Sequence, residues 1–110
     1  MKQKFDEWRF VVIWKFQVRP GMEERFEQEC GANGAWAQFF RKNDAYIRTE
    51  LIRDLKAARN YLTLDFWRSR EAYESFRAQH AAEYEAIDAE HESMTEDERE
   101  LGRFSRVVAG

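Results

Sequence analysis

The chain has 110 residues and a formal net charge of −3, which is typical of one domain with a single small core. It has no basic stripe, so nucleic-acid binding is not expected. The one cysteine, Cys30, excludes an internal disulfide and a multi-cysteine zinc site and suits a reducing cytoplasm. The most apolar run, Phe10–Phe16, is too short to span a membrane, so we predict a cytoplasmic protein with no membrane partner.

Residues 1–8 are predicted to form a loose arm ahead of one domain over residues 9–110. Arg9–Arg19 is predicted as the first strand, and its two apolar faces indicate a central place in the sheet. Met22–Cys30 has apolar residues at every fourth position, which predicts a helix closed by Gly31 as a C-terminal cap. A second helical piece, Ala35–Arg41, carries Trp36, Phe39 and Phe40; these rings either line a pocket mouth or close the core.

Tyr46–Asp54 is predicted as the second strand, and Tyr61–Trp67 as the third, in which aliphatic residues alternate with Tyr61, Thr63, Asp65 and Trp67. Ser69 is a good N-cap for a long helix that runs through Ile87. One face of that helix carries Tyr73, Phe76, His80, Tyr84, Ile87 and His91.

The segment that follows is strongly acidic and is expected to be a solvated surface. Thr95-Glu96-Asp97-Glu98 fits a capping box, which predicts a short helix that ends at Gly102. Arg103–Val108 is then the last strand.

This order of elements predicts a ferredoxin-like βαββαβ sandwich, an α+β fold with a four-stranded antiparallel sheet and both helices on one face. The uncovered face is expected to hold Tyr46, Ile52, Tyr61 and Trp67. Exposed apolar area of that size needs a cover, so we predict a two-fold homodimer formed through the sheet face.

The segment from Tyr61 to Tyr73, followed by Phe76, resembles the strand, Trp-x-Ser turn and helix start of the antibiotic biosynthesis monooxygenase family. The helix entry Val18-Arg19-Pro20-Gly21 agrees as well, and the resemblance covers residues 9–108. It implies a dimeric α+β barrel with a pocket between helices and sheet in each subunit. Members of the family include oxygenases without cofactors that act on phenols or quinols, haem-degrading enzymes, and proteins without known activity.

The haem-degrading members use an asparagine on the first strand, the tryptophan of Trp-x-Ser and a histidine late in the second helix. Trp67 matches the second of these, but Phe10–Val18 contains no asparagine, and His80 and His91 fall earlier and later than the expected ligand. Haem is therefore disfavoured as a cofactor. The two histidines are also roughly 16 Å apart along a helix, too far to share a metal ion.

His80 is the predicted catalytic residue, because an imidazole on a buried helix face can take a proton from a phenol. The alternative is a core or interface histidine bonded to a carbonyl group or to Asp65. The predicted substrate pocket consists of Trp36, Phe40, Tyr46, Trp67 and Tyr84.

Three further side chains have mainly structural predictions. Asp65 is expected to form a buried ion pair with Arg48 or Arg103, with a proton relay as the alternative. His91 is expected to pair with Asp88, and Cys30 to be a small core residue.

The resulting hypothesis is a monooxygenase that uses no cofactor or metal and acts on a small phenol- or quinol-like aromatic compound. The alternative is a non-catalytic dimer of the same fold that binds a small molecule. Haem binding or breakdown ranks below both.

Overall fold

The computed structural model describes residues 7–108. In chain order they form β1 (Phe10–Val18), α1 (Glu23–Cys30), α2 (Ala35–Phe40), β2 (Tyr46–Arg53), β3 (Asn60–Trp67), α3 (Arg70–Gln79), α4 (Ala81–His91), a 3₁₀ turn (Glu92–Met94) and β4 (Thr95–Ser105). Each of the two crossover connections thus contains two short helices, as predicted for the first connection but not for the second. Residues 1–6 of the predicted N-terminal arm lie outside the described residues.

The four strands form one antiparallel sheet in the order β2-β3-β1-β4. β1 lies between β3 and β4, which explains why both of its faces are apolar. The predicted ferredoxin-like α+β fold is therefore confirmed. None of the helices within residues 7–108 is both long and apolar enough to cross a membrane.

The helices pack on one face of the sheet, here called the inner face, and they cover an aromatic row. Tyr46, Tyr61 and Trp67 lie in this row and are buried, so their predicted place on the uncovered face is wrong. The physical reason is that the helices bring aromatic rings of their own. Phe26 packs on Tyr61 and Phe40 packs on Tyr46 and Trp67, with ring centroids 5.0 to 5.6 Å apart.

The opposite face, here called the outer face, carries an aliphatic patch that no helix covers. Ile52, Leu101 and Phe104 are each nearly half exposed there. The facing pair Ile13 and Leu64 on the two central strands lies on the same face and is partly buried. The placement of Ile52 on the uncovered face therefore agrees with the sequence prediction.

Helix α3 begins where the sequence predicts. The Oγ of Ser69 accepts a hydrogen bond of 3.1 Å from the backbone N–H of Ala72, which makes Ser69 the N-cap. The single long helix predicted through Ile87 is wrong, however, because it is interrupted at His80. This residue has φ −117° and ψ 31°, ends α3 and precedes α4.

Helices α1 and α2 are joined by a tight turn in which two glycines approach the backbone closely. Gly31 is the C-cap of α1, as predicted, and it has an extended conformation with φ −82° and ψ −169°. A Cβ atom on Gly34 would overlap the backbone carbonyl group of Glu29. Close approach of the backbone, and not a positive φ, therefore requires glycine here.

The acidic segment after α4 forms β4, so the predicted short helix that begins at Thr95 is wrong. Thr95 pairs with Val18 at one end of the β1–β4 ladder, and Gly102 lies within the strand. The edge of β1 presents a row of backbone hydrogen-bonding groups, and satisfying them outweighs the local capping signal.

Candidate functional site

A cavity lies between the helices and the inner face of the sheet. The space in it that atoms do not fill is about 600 Å³, and this figure includes open solvent at the mouth. Aromatic rings form most of its wall, and three threonines, three carboxyl groups and one histidine lie among them. This combination of flat apolar walls with a few polar groups is typical of a small-molecule site.

Asp65 places a carboxyl group at this cavity from the middle of β3. It is 7 % exposed, and the Oγ1 of Thr49 donates a hydrogen bond of 2.6 Å to its Oδ1. The hydroxyl of Tyr46 lies 2.7 Å from the same Oγ1. When Asp65 is ionised, its oxygens only accept hydrogen bonds, so the tyrosine donates to the threonine and the threonine donates to the carboxylate.

Burial raises the pKa of Asp65 from 3.8 to about 6, although the hydrogen bond from Thr49 acts in the opposite direction. The predicted ion pair is wrong, because Arg48 pairs with Glu50 at 2.8 Å and Arg103 pairs with Glu100 at 3.2 Å. Asp65 therefore lacks the opposite charge that would hold its pKa low, and it can gain or lose a proton near neutral pH.

His91 contributes an imidazole from the end of α4. It is 6 % exposed, and its Nε2 lies 3.0 Å from the Oε1 of Glu29 on α1. Its Nδ1 is buried and has no hydrogen-bond partner among residues 7–108. The predicted pair with Asp88 is wrong, because the histidine bridges two helices and does not bond within its own.

Asp88 instead forms a carboxyl pair with Glu98 of β4. Burial, followed by the negative charge and the hydrogen bond of Asp88, raises the pKa of Glu98 to about 7. Glu98 can therefore gain or lose a proton near neutral pH. Both line the cavity and are half-buried, so they form a polar rim between α4 and β4.

Three of the five predicted pocket residues lie in the cavity wall. Trp36 and Phe40 of α2 and Tyr84 of α4 line it, and the rings of Trp36 and Tyr84 are 4.8 Å apart. Burial raises the pKa of the Tyr84 hydroxyl, so this group stays protonated. Their contact with a substrate stays a prediction.

Tyr46 and Trp67, the other two, lie in the core behind this wall. Trp67 is fully buried, and its ring lies 5.4 Å from those of Phe40 and Tyr46. The indole N–H of Trp67 has no partner within the described part of the chain. Tyr46 contacts two cavity-lining residues, Thr49 through its hydroxyl group and Phe40 through its ring.

His80, the predicted catalytic residue, lies at the break between α3 and α4 and not among the cavity-lining residues. Its ring packs on Phe76 with centroids 4.5 Å apart, and its Nδ1 lies 2.8 Å from the Oε1 of Glu83. The break turns the imidazole toward Glu83 on the surface. Its role as a base stays a prediction.

The sequence interpretation missed Thr49, Asp88 and Glu98 as site residues. Alternation along β3 was a usable signal for Asp65 and Thr63, since both share a face with Trp67. Glu98 had no such signal once its segment was predicted to be a helix. No group of three or more metal-binding side chains occurs within residues 7–108.

Comparison with known proteins agrees with this architecture. The sequence profile described as antibiotic biosynthesis monooxygenase matches residues 9–87. A variant of SnoaB, a cofactor-independent oxygenase from Streptomyces nogalater, has 17 % sequence identity and a TM-score of 0.68, over 92 % of this chain and 95 % of that chain.

Two further solved structures are similar. PA3566 from Pseudomonas aeruginosa has 15 % identity and a TM-score of 0.62, over 92 % of this chain and 96 % of its own. A conserved protein from Methanosarcina mazei Go1 has 12 % identity and a TM-score of 0.65, over 91 % and 94 %. At these identities the similarity shows the fold alone. No curated protein matches the chain.

Proposed function

Because the chain belongs to the antibiotic biosynthesis monooxygenase family, we propose that it is an oxygenase that needs no organic cofactor or metal ion and oxidises a small phenol or quinol. The observation that carries the proposal is the buried Asp65 carboxyl group beside an aromatic-walled cavity. Such walls suit a flat substrate, and a carboxylate within hydrogen-bond reach suits removal of its phenolic proton.

The reaction balances without an added reductant. The base takes the phenolic proton, and the electron-rich phenolate transfers one electron to O₂, which becomes superoxide. Superoxide then bonds to a ring carbon that carries hydrogen, ortho or para to the oxygen, and the base returns its proton to the resulting peroxide. Loss of water from this hydroperoxide leaves a carbonyl group. In sum, a phenol and O₂ give a quinone and H₂O, and each product receives one of the two atoms of O₂.

The raised pKa of Asp65 makes it a useful base. A phenol has a pKa of about 10, so transfer of its proton to a carboxylate of pKa about 6 is uphill by about 5 kcal/mol. The same transfer to an ordinary aspartate would be uphill by about 8 kcal/mol. Oδ1 is bonded to Thr49, which leaves Oδ2 to accept the proton.

His80 is the alternative base and is retained as such. Its Nδ1 lies within hydrogen-bond distance of Glu83, and the residue is not part of the cavity lining. Separate variants of Asp65 and His80 therefore distinguish the two assignments.

We further propose that the protein works as a homodimer through its outer face. The support is the uncovered aliphatic patch around Ile52, Leu101 and Phe104, since a contiguous apolar surface of this kind marks an interface. A two-fold pair of sheets would bury it on both subunits and leave both cavities open on the helical side.

The experiment is oxygen uptake over a panel of hydroquinones and polycyclic phenols, with a blank without protein because quinols autoxidise. The variants are Asp65→Asn and His80→Gln, and the control is Asp44→Asn at an exposed turn. We expect uptake above the blank that falls at least about a hundredfold in Asp65→Asn and is unchanged in the other two.

Loss of uptake in His80→Gln with full activity in Asp65→Asn would restore His80 as the base. Uptake equal to the blank across the panel, together with thermal stabilisation by the same compounds, would instead identify a non-catalytic binding protein.

A further inference from the structure

The charged side chains that line the cavity are carboxyl groups. Asp65, Asp88 and Glu98 lie in its wall, and within residues 7–108 no lysine or arginine does. A carboxylate-bearing ligand would be repelled by these three groups in their ionised form, whereas a cation would be attracted to them.

The aromatic part of the wall favours the same kind of ligand. Trp14, Phe16 and Trp36 line the cavity together with Tyr84, and the rings of Trp14 and Phe16 are nearly parallel with centroids 6.3 Å apart. The face of an aromatic ring attracts an ammonium group, most strongly once water is removed.

A second and independent observation is the unpaired Nδ1 of His91. In the neutral ring, the nitrogen that faces Glu29 carries the hydrogen and donates it, so Nδ1 is an acceptor. This acceptor is buried and has no donor among the described residues, which is costly unless a ligand supplies one. The missing group is therefore a hydrogen-bond donor.

We propose that the ligand of this cavity is an aromatic compound with a protonated amino group, which is held by Asp88, Glu98 and the Nδ1 of His91. The proposal rests on the proposed function for the other end of the ligand, where a phenolic hydroxyl meets Asp65. An ammonium group offers three donors, and these residues offer acceptors without a competing cation.

The sheet register places the residues that would bind the two ends of the ligand far apart. Asp65 pairs with Val12 and Glu98 pairs with Phe16, on opposite sides of β1. Their backbones are therefore about 10 Å apart across the strands and roughly 13 Å apart along them. Both residues lie on the inner face, and the proposed ligand is therefore a ring with a short aminoalkyl arm that has one end at each carboxyl group.

Proton release provides a signature of this binding mode. The pKa of Glu98 is raised to about 7 by burial and by its acidic neighbours Asp88, Glu92 and Asp97. An ammonium group beside it opposes those effects and lowers that pKa. Binding at pH 7 should therefore release protons to the buffer.

The test is calorimetric titration at pH 8 with three phenols that differ in side-chain charge: tyramine, 4-ethylphenol and 3-(4-hydroxyphenyl)propanoate. We expect tyramine to bind at least about tenfold more tightly than 4-ethylphenol, and the propanoate to bind most weakly. Repeating the tyramine titration at pH 7 in two buffers of different ionisation enthalpy measures the proton release.

The matched variants are Glu98→Gln and Glu90→Gln, which remove the same charge inside and outside the cavity. Glu90 is an exposed residue of α4. The preference for tyramine should disappear in Glu98→Gln and persist in Glu90→Gln, with circular dichroism confirming that both variants are folded. Equal affinities for the three phenols, tighter binding of the propanoate, or no binding of tyramine would each overturn the proposal.

The proposed amine site and the proposed oxygenase activity can be contradicted independently of each other. Tyramine that binds with the expected preference but supports no oxygen uptake would leave the amine site standing and contradict the oxygenase. Oxygen uptake with 4-ethylphenol and no amine preference would do the reverse.

Discussion

The Oγ1 of Thr49 faces the Oδ1 of Asp65 at 2.6 Å because β2 contains one extra residue. Tyr46 pairs with Trp67, and the next pair on β2 skips Ile47. In a regular ladder Arg48 would lie opposite Asp65. The bulge therefore replaces a guanidinium with a hydroxyl, and this exchange leaves a buried carboxyl group whose pKa is raised to about 6.

We expect Asp65→Asn to stabilise the fold at alkaline pH. A raised pKa means that, between pH 4 and 6, the folded protein keeps a proton that the unfolded chain has released. The contribution of Asp65 to the free energy of unfolding therefore decreases as pH rises through that window and stays reduced above it. The substitution should raise the free energy of unfolding at pH 8 by at most about 3 kcal/mol and have little effect at pH 4.

Urea denaturation at both pH values, at one protein concentration, measures this difference. Asp44→Asn serves as the comparison, because this residue is exposed. Equal changes for Asp65→Asn at the two pH values would contradict the role of burial.

Thr49→Val should raise the pKa of Asp65 above its value of about 6, because the hydrogen bond that favours the ionised form is lost. Tyr46→Phe removes the hydroxyl that contacts Thr49 and leaves the bond to Asp65 in place, so its effect should be much smaller. The ¹³C chemical shift of the Asp65 carboxyl carbon, followed through a pH titration, reports both. A larger change in the pKa of Asp65 for Tyr46→Phe than for Thr49→Val would argue against a chain of hydrogen bonds that runs from Tyr46 through Thr49 to Asp65.

Gly34→Ala should destabilise the protein by more than about 2 kcal/mol, because its Cβ atom would overlap the carbonyl groups of Glu29 and Gln28. Gly21→Ala is the matched control. Gly21 has φ 87° and open space around it, so only the backbone penalty of about 1 kcal/mol applies. Urea midpoints of the two variants compare them, and a larger loss in Gly21→Ala would refute the close-approach explanation.

Ile52→Lys should dissociate the proposed homodimer, since it places a charge in the outer-face patch where Ile52 is 47 % exposed. Leu55→Lys makes the same change at a fully exposed turn position. Sedimentation velocity should give twice the mass of one chain for the parent and Leu55→Lys, and one chain for Ile52→Lys. A monomeric parent at every concentration would rule the dimer out.

The central strand and the entry into α3 were predictable because their signals are local. Ser69 is an N-cap through its own hydrogen bond to Ala72, and the apolar character of β1 on both faces follows from its two neighbours in the sheet. The place of β1 does depend on distant pairings, but its two apolar faces make that place visible in the local sequence.

The last strand and the site were harder to predict from the sequence, because they depend on long-range pairing. Thr95 belongs to β4 because of its pairing with Val18, 77 positions earlier in the chain, and a capping signal in four residues contains no information about that pairing. The environment of Asp65 likewise depends on a bulge opposite it, and nothing around Ile47 in the sequence indicates an extra residue.

Cys30 makes the opening of the cavity measurable. It is the sole cysteine of the chain, it lines the cavity and is 2 % exposed, and burial raises its pKa to about 12. Alkylation needs an accessible thiolate, so it must await a local opening of the fold. The rate of thiol labelling therefore reports how often the cavity opens, and a ligand that fills it should slow labelling even if no reaction follows.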